Sequence, residues 1–336
     1  MNINNNNNLN TRLNSARANK NDDFYTQLTD IEKELKHYKK HFKNKIIFCN
    51  CDDPRTSNFF HYFSYNFEQL GLKKLITTCY RNNQLDLFSQ NSNDQAIMLE
   101  YCGDKNGNNV PDVEEIGITK LQGDGDFRSE ECTEILKTAD IVVTNPPFSL
   151  FKEYVQHLVD HKKKFLVLGS MNAIKYKNIF SLIKSDQLWL GADNGGTKWF
   201  EVKDDYEIKT KSRKKFVNGK KYFSMGNIAW YTNLEHKKRN EELILYKKYS
   251  PSEYPNYDNY DAIHIPTVLE IPSDYDGYMG VPVTFVDKYN KNQFEIFGIM
   301  NSGEKNEGIR YENTSHGRPL INGKEIYTRI LVKRKI

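Results

Sequence analysis

Apolar residues are distributed along this chain in two textures. Up to about residue 250, short dense apolar runs alternate with stretches whose apolar positions recur every three or four residues; beyond Ser250 the chain turns to Tyr, Pro and Gly with brief β-like runs. The runs at 46–51, 75–79, 141–144 and 165–168 have the length and composition of buried strands. Helical spacing appears at 30–42, where Ile31, Leu35, Tyr38 and Phe42 share one face behind Asp30 as a candidate N-cap. It recurs at 58–71, through Phe59, Phe60, Phe63 and Phe67, and at 150–159. Strands alternating with helices predict βαβ units and a parallel sheet, with ligands at the carboxyl ends of the strands. The segments 227–232 and 242–246, joined by a charged turn, read as an antiparallel hairpin closing that sheet. The runs at 262–265, 281–286, 295–299 and 326–332 belong to a second, smaller region, and no internal repeat is visible.

Composition narrows the class. With 336 residues, 38% of them hydrophobic, the chain can bury a sizeable core and has room for about two domains. No apolar run reaches the ~18 residues of a membrane-spanning helix, and no secretory signal opens the chain. Seven of the first ten residues are Asn, so residues 1–20 read as a disordered tail. Five cysteines without a C-x-x-C pair read as reduced thiols of a cytoplasmic protein, and Cys49 and Cys51 as one face of a strand rather than soft-metal ligands.

The net charge of +4 is mild, but its distribution is not. Lys209, Lys211, Arg213, Lys214, Lys215, Lys220 and Lys221 fall together without one acid, amid Tyr206, Phe216, Tyr222 and Phe223. Cations interleaved with aromatics suit a phosphate backbone and unstacked bases; a solvated loop is the other reading.

The sharpest chemical signal is Asn145-Pro146-Pro147-Phe148, where an apolar strand ends and a helix begins. A planar exocyclic amine is a poor nucleophile because its lone pair is delocalised into the ring. The Asn145 side-chain oxygen and the Pro146 carbonyl, aimed at its two hydrogens, would pull the nitrogen toward tetrahedral geometry. Two prolines stiffen the backbone and contribute no N–H, and Phe148 offers a face on which a planar base can stack.

This tetrapeptide resembles the one used by S-adenosylmethionine-dependent amino-group methyltransferases, and other segments extend the likeness. Phe24-Tyr25-Thr26 precedes the first strand, Asn50-Cys51-Asp52-Asp53-Pro54 follows it, and Gly125-Asp126-Phe127 stands nineteen positions before Asn145. Together with Ser57-Asn58-Phe59-Phe60, Trp230-Tyr231-Thr232-Asn233-Leu234 and Gly280-Val281-Pro282-Val283-Thr284-Phe285, they resemble the EcoRI-type adenine-specific DNA methyltransferases over nearly everything after residue 20.

The resemblance implies a Rossmann-like class I methyltransferase, an α/β fold whose seven-stranded, mostly parallel sheet ends in an antiparallel hairpin. It would occupy residues 21–248 with a basic insertion at about 191–226, and 249–336 would recognise DNA. Implied cofactor contacts are Phe24, Tyr25 and Thr26 at the methionine part, Asn50, Asp52, Asp53 and Pro54 in the first loop, and Asp126 and Phe127 at the adenine. The loop glycines of the family are replaced by Ser57 and Asn58, and no acid ends the second strand, leaving Asp52 or Asp53 for the ribose. Asn145, Pro146, Pro147 and Phe148 would be catalytic, with no metal; a Gly-Asp-Gly-Asp string at 123–126 lacks the other positions of a calcium loop.

Trp230 and Tyr231 would wall the base pocket, or else pack the core; Lys211, Arg213, Lys214, Lys215, Lys220 and Lys221 would contact DNA. The implied activity is N6-adenine methylation of double-stranded DNA at a specific sequence by a cytoplasmic monomer, beside a cognate restriction endonuclease. An RNA base, a protein glutamine amide, or an inactive DNA-binding relative are the alternatives. Arg213, Asn218, Asn301, His316 and Arg318 are candidates for base recognition.

Overall fold

The computed structural model describes residues 25–51, 57–78, 96–108, 110–112, 114–202, 204, 206–208, 210–301, 306–311 and 317–335. The Asn-rich tail, Phe24, Asp52, Asp53, Pro54, Lys209 and His316 lie outside them. The chain divides into two compact units. The first runs to Met171 and resumes over Asp193–Leu234; the second comprises Asn172–Ala192 and Glu235–Ile336. The expected break at 248/249 therefore falls inside the second unit, which also takes in a segment preceding the basic run.

In the first unit β1 (Tyr25–Thr26) leads into α1 (Leu28–Leu35), which begins before Asp30 and places that carboxylate in its first turn, where the helix dipole favours it. The expected helix over 30–42 is interrupted at 36–38 and resumes as Lys39–Phe42, yet Ile31, Leu35, Tyr38 and Phe42 are all buried. Next come β2 (Ile46–Asn50), α2 (Asn58–Tyr65), β3 (Lys74–Thr78), β4 (Ile97–Tyr101), β5 (Ile116–Lys120), α3 (Glu130–Thr138), β6 (Ile141–Thr144), α4 (Phe151–Asp160) and β7 (Lys164–Ser170). Ser57 caps α2 by accepting from the Phe59 and Phe60 amides at 3.2 and 3.5 Å. That helix stops at Asn66, whose side chain donates to the Tyr62 carbonyl at 2.8 Å. β8 (Trp189–Leu190) lies in the second unit, after which β9 (Trp199–Val202), β10 (Lys214–Val217), β11 (Lys220–Ser224) and β12 (Ile228–Thr232) complete the first.

Seven strands of the first unit follow the order β5-β4-β3-β2-β6-β7-β12. β3, β2, β6 and β7 pair in parallel, while β4, β5 and β12 each run against their neighbours, so that β5, reversed twice, points the same way as the central four. By pairing, the sheet is mixed, with three parallel and three antiparallel neighbours. The expected terminal hairpin is corrected as well: β12 pairs with β7, Trp230 opposite Leu168, not with 242–246. Within that segment the Gln293 amide takes both the N–H and the C=O of Leu243, at 2.8 and 2.7 Å, in place of a ladder partner.

A second sheet, β1-β9-β11-β10, is built from the residues around the basic run. Its β10–β11 hairpin turns at Asn218 (φ 49°) and Gly219 (φ 77°), the two left-handed positions of a type I′ turn. In the second unit the strands Ile263–His264, Met279–Pro282, Arg329–Arg334 and Phe294–Met300 form a sheet in that spatial order, and the run expected as a strand over 281–286 turns into a 3-10 helix from Val283. Among the described residues no helix is long and apolar enough to cross a membrane.

Candidate active site

The parallel strands β2 and β6 end side by side, and hydrogen bonds lock their ends together. The Thr144 hydroxyl donates to the Asn50 carbonyl, and the Tyr154 hydroxyl, from α4, donates to Asn50 Oδ1. Tyr154 is fully buried, and burial pushes its phenol well above the ordinary value, so it stays a neutral donor. Asn145 and Pro146 follow β6 as buried residues, with Pro147 and Phe148 half-buried at the rim. The Pro147 carbonyl accepts from the Leu150 amide at 3.0 Å, closing a 3-10 turn that feeds α4. Behind that turn the Phe151 ring lies on Gly169 of β7; a Cβ there would stand 2.4 Å from the ring, so only glycine leaves room. Phe151 also packs on Tyr231, with ring centroids 4.9 Å apart.

The second sheet reaches this loop through Phe200, which meets Phe148 edge-on at 6.2 Å and lies opposite Thr26 in the β1–β9 register. Thr26 is buried, and its hydroxyl has no hydrogen-bond partner among the described residues; the same holds for Thr77 near the end of β3. Buried hydroxyls left unmatched cost about 1–3 kcal/mol each, a cost that a bound polar group would offset. The Thr26 carbonyl accepts from Asn58 Nδ2 at 2.7 Å, so β1 is tied to the start of α2. Cys51, which opens the loop after β2, adopts φ 89°, a left-handed backbone unusual for a residue with a Cβ. The resemblance expects glycines in this loop, and Cys51 takes a glycine-like conformation without being one.

Phe127 is buried edge-on against Tyr154, at 5.0 Å and 73°. Asp126 is gripped by Arg128, which donates from Nε at 2.9 Å and from Nη2 at 2.6 Å while its amide donates at 2.9 Å. Burial raises the Asp126 carboxyl, but the Arg128 hydrogen bonds and charge outweigh it and hold the pKa below the ordinary value. Arg128 lies over the Phe127 ring at 5.4 Å and reaches Glu153 at 3.3 Å. Neither Arg128 nor Tyr154 was among the expected site residues. Each acts through a neighbour, and no local sequence motif marks it.

Two expectations need correction. Trp230 and Tyr231 are wholly buried, Trp230 against Phe59 at 6.2 Å and Tyr231 donating to the Ser170 carbonyl at 2.8 Å; both are core, with no face left for a base. The five residues of their strand, β12, are all buried. Lys221 is not a DNA contact either: it is 8% exposed, and its ammonium donates to the Asp204 and Tyr206 carbonyls, both at 2.6 Å. Lys211, Arg213, Lys214, Lys215 and Lys220 are exposed. Lys215 sits over the Trp199 and Tyr222 rings at 4.4 and 5.4 Å, Lys214 over Phe216 at 4.8 Å, and Lys220 pairs with Glu201 at 3.0 Å. The aromatic partner Trp199 was not foreseen.

The Asn145-Pro146 turn is thus buried at a strand end, with Pro147 and the Phe148 ring at its rim. Comparison decides the family: the model of the adenine-specific methyltransferase EcoRI matches residues 12–335. The chain belongs to this family. It is 44% identical over 329 residues to the Type II methyltransferase M.EcoRI of Escherichia coli, covering 97% of both chains. It is 39% identical to M.MgeORF184P of Mycoplasma genitalium and 36% to M.MpnI of Mycoplasma pneumoniae, both Type II methyltransferases, over 96% of this chain and 98% of each relative. No solved structure matches. As an EcoRI-type enzyme, the protein is an adenine-specific DNA methyltransferase.

Proposed function

We propose that this methyltransferase methylates N6 of an adenine flipped out of double-stranded DNA at a specific sequence, as the protective partner of a restriction endonuclease and acting as a cytoplasmic monomer. The observation that carries the reading is the Asn145 loop, buried at the end of β6 and held from behind by Tyr154, Thr144 and Phe151, with Phe148 at its rim. Asn145 Oδ1 and the Pro146 carbonyl accept from the adenine amine and fix its nitrogen for attack, and Phe148 stacks on the extruded ring. Extrusion costs a few kcal/mol, which base stacking and phosphate contacts offset. Because the Asn145 loop is held in place beforehand, its dipoles need no reorganisation when charge develops on the nitrogen.

S-adenosylmethionine supplies, when bound, a methyl group already activated on a sulfonium. The residues present fit it. The Thr26 hydroxyl, buried without a partner among the described residues, can meet its methionine end beside Tyr25 and Asn50, and Phe127 is assigned to its adenine. Asp126 meets the cofactor's adenine amine only with lone pairs that Arg128 leaves over. The second unit, including Arg318 and Asn301, is assigned to base recognition, although Arg318 already reaches Glu325 at 3.4 Å.

The test is to sequence methylated bases in DNA from cells expressing the protein. N6-methyladenine should accumulate at one recurrent sequence and vanish in Asn145→Ala. Purified Asn145→Ala should lose about 10²–10³-fold in single-turnover methyl transfer with cofactor binding retained. Undiminished transfer by the variant, or methyl groups appearing only in RNA or protein, overturns the proposal.

A further inference from the structure

β4 and β5, an antiparallel pair at one margin of the sheet, are joined by a connection whose twelve residues 104–115 read Asp-Lys-Asn-Gly-Asn-Asn-Val-Pro-Asp-Val-Glu-Glu. Oxygen-bearing side chains stand at positions 1, 3, 5, 9 and 12 of that stretch: Asp104, Asn106, Asn108, Asp112 and Glu115. This is the spacing with which helix–loop–helix calcium sites supply their ligands, position 7 giving a backbone carbonyl and position 12 a bidentate carboxylate. Position 6, ordinarily glycine, is Asn109, which lies outside the described residues. Here the flanking elements are strands, so the pattern stands on the loop alone.

The structure adds an observation that the spacing does not contain. Glu115 is 7% exposed; its Oε1 accepts from the Lys105 and Asn106 amides at 2.5 and 3.2 Å, which turns the carboxylate into the loop. Its Oε2 is buried and has no hydrogen-bond partner among the described residues. A buried carboxylate oxygen without a hydrogen bond is expensive, and a bound cation would offset that cost. Asp112 is drawn to the same place, accepting from Asn106 Nδ2 at 2.6 Å. The field of these acids is felt nearby: the Tyr101 hydroxyl is pushed up to about 12 by burial and then by Glu115, Asp104, Glu68 and Asp112.

We propose that residues 104–115 form a calcium-binding loop, with the side-chain oxygens of Asp104, Asn106, Asn108, Asp112 and Glu115 and the Val110 carbonyl as ligands. Among the described residues no three His, Cys, Asp or Glu side chains stand together as a metal set; half of this set is amide or carbonyl oxygen, and the ion must draw the acids in by replacing the Asn106–Asp112 bond. Three carboxylates in a pliable loop suit Ca²⁺, which accepts six to eight oxygens in irregular geometry. Mg²⁺ demands a near-ideal octahedron. Bound calcium would brace the β4–β5 connection as a structural tie, apart from the methyl-transfer chemistry.

The experiment uses the full chain stripped of metal with a chelator. Calcium should raise the thermal unfolding midpoint saturably, magnesium at equal concentration should not, and terbium bound in its place should luminesce through Tyr101 and be displaced by calcium. Glu115→Gln, and independently the exposed Asn108→Ala should the first variant fold poorly, should each weaken binding about tenfold or more, a change of about 1.4 kcal/mol. A wild type without saturable response up to about 10 mM calcium, beyond the weakest range of such loops, overturns the proposal. Wild-type affinity in both variants does so too.

Discussion

The loop carrying Asn145 and the hairpin of β10 and β11 belong to the same unit but are built on opposite terms. Around Asn145 the working groups are neutral dipoles, buried and held by neighbours that are themselves buried: Tyr154 on Asn50, Thr144 on Asn50, Phe151 on Gly169. Along the hairpin they are full charges on exposed side chains, steadied by aromatic faces such as Trp199 and Tyr222 beneath Lys215 and by Glu201 beside Lys220. The contrast follows from range. A dipole acts over a hydrogen bond and is worth most where water is excluded and nothing must reorient, whereas a cation acts on phosphates by displacing counterions and must stay in solvent to do so. Lys221 shows the boundary, for once its ammonium is absorbed by two backbone carbonyls it belongs to the framework.

The largest expected effect tests the buried side. Trp230→Ala should cost about 3–5 kcal/mol of unfolding free energy, as deletion of a fully buried large aromatic does, read by denaturant unfolding. A variant that keeps wild-type stability and loses only capture of the flipped base would restore Trp230 to the pocket and erase the contrast. A smaller and different effect tests the exposed side. Changing Lys214, Lys215 and Lys220 together to Gln should leave single-turnover methylation at saturating DNA unchanged. It should flatten the dependence of log affinity on log salt by about 0.9 for each phosphate that the hairpin no longer neutralises. Lys221→Met, one residue away, should leave that slope alone and lower stability. If the triple variant keeps the wild-type slope, the hairpin is a solvated loop.

How much of this was legible in the sequence depends on what kind of signal each part leaves. The strand before Asn145 was clear, because its four residues are all buried and apolar runs of that kind have few other uses. The strands β4 and β5 were not foreseen: β5 leaves four of its five residues exposed, Ile118 among them, so neither alternation nor a buried run marks it. In the basic insertion the Asn218-Gly219 turn is a hairpin signal, but the residues on either side run Lys-Lys-Phe-Val and Lys-Lys-Tyr-Phe, without the apolar–polar alternation that announces strands. Trp230 and Tyr231 could be placed on the right strand but not in the right role, since core and base pocket draw on the same aromatics. The split of the basic run into exposed cations and the buried Lys221 rests on carbonyls at 204 and 206 that no spacing rule connects to it. The loop at 104–115 carries its oxygen ligands in the spacing alone, whereas the denser Gly-Asp-Gly-Asp string at 123–126 is the more conspicuous acidic motif and lacks the remaining ligand positions.

The smallest effect compares the two regions at a single backbone angle. Cys51 beside the active-site loop and Asn218 at the hairpin tip both have positive φ, 89° and 49°. Asn218 sits near the left-handed minimum, which asparagine tolerates well, so Asn218→Gly gains no relief there and incurs the added chain entropy of glycine, ~0.5–1 kcal/mol of destabilisation. Cys51 lies farther from that minimum and carries a Cβ, a conformation costing about 1–3 kcal/mol when the surroundings enforce it. Cys51→Gly should relieve that strain and, after the same entropy loss, leave the protein unchanged or up to about 1 kcal/mol more stable. Parallel denaturant unfolding of the two variants reads the difference directly. If Cys51→Gly destabilises as much as Asn218→Gly, no strain is held at the end of β2, and the framework around Asn145 is rigid through its buried hydrogen bonds alone.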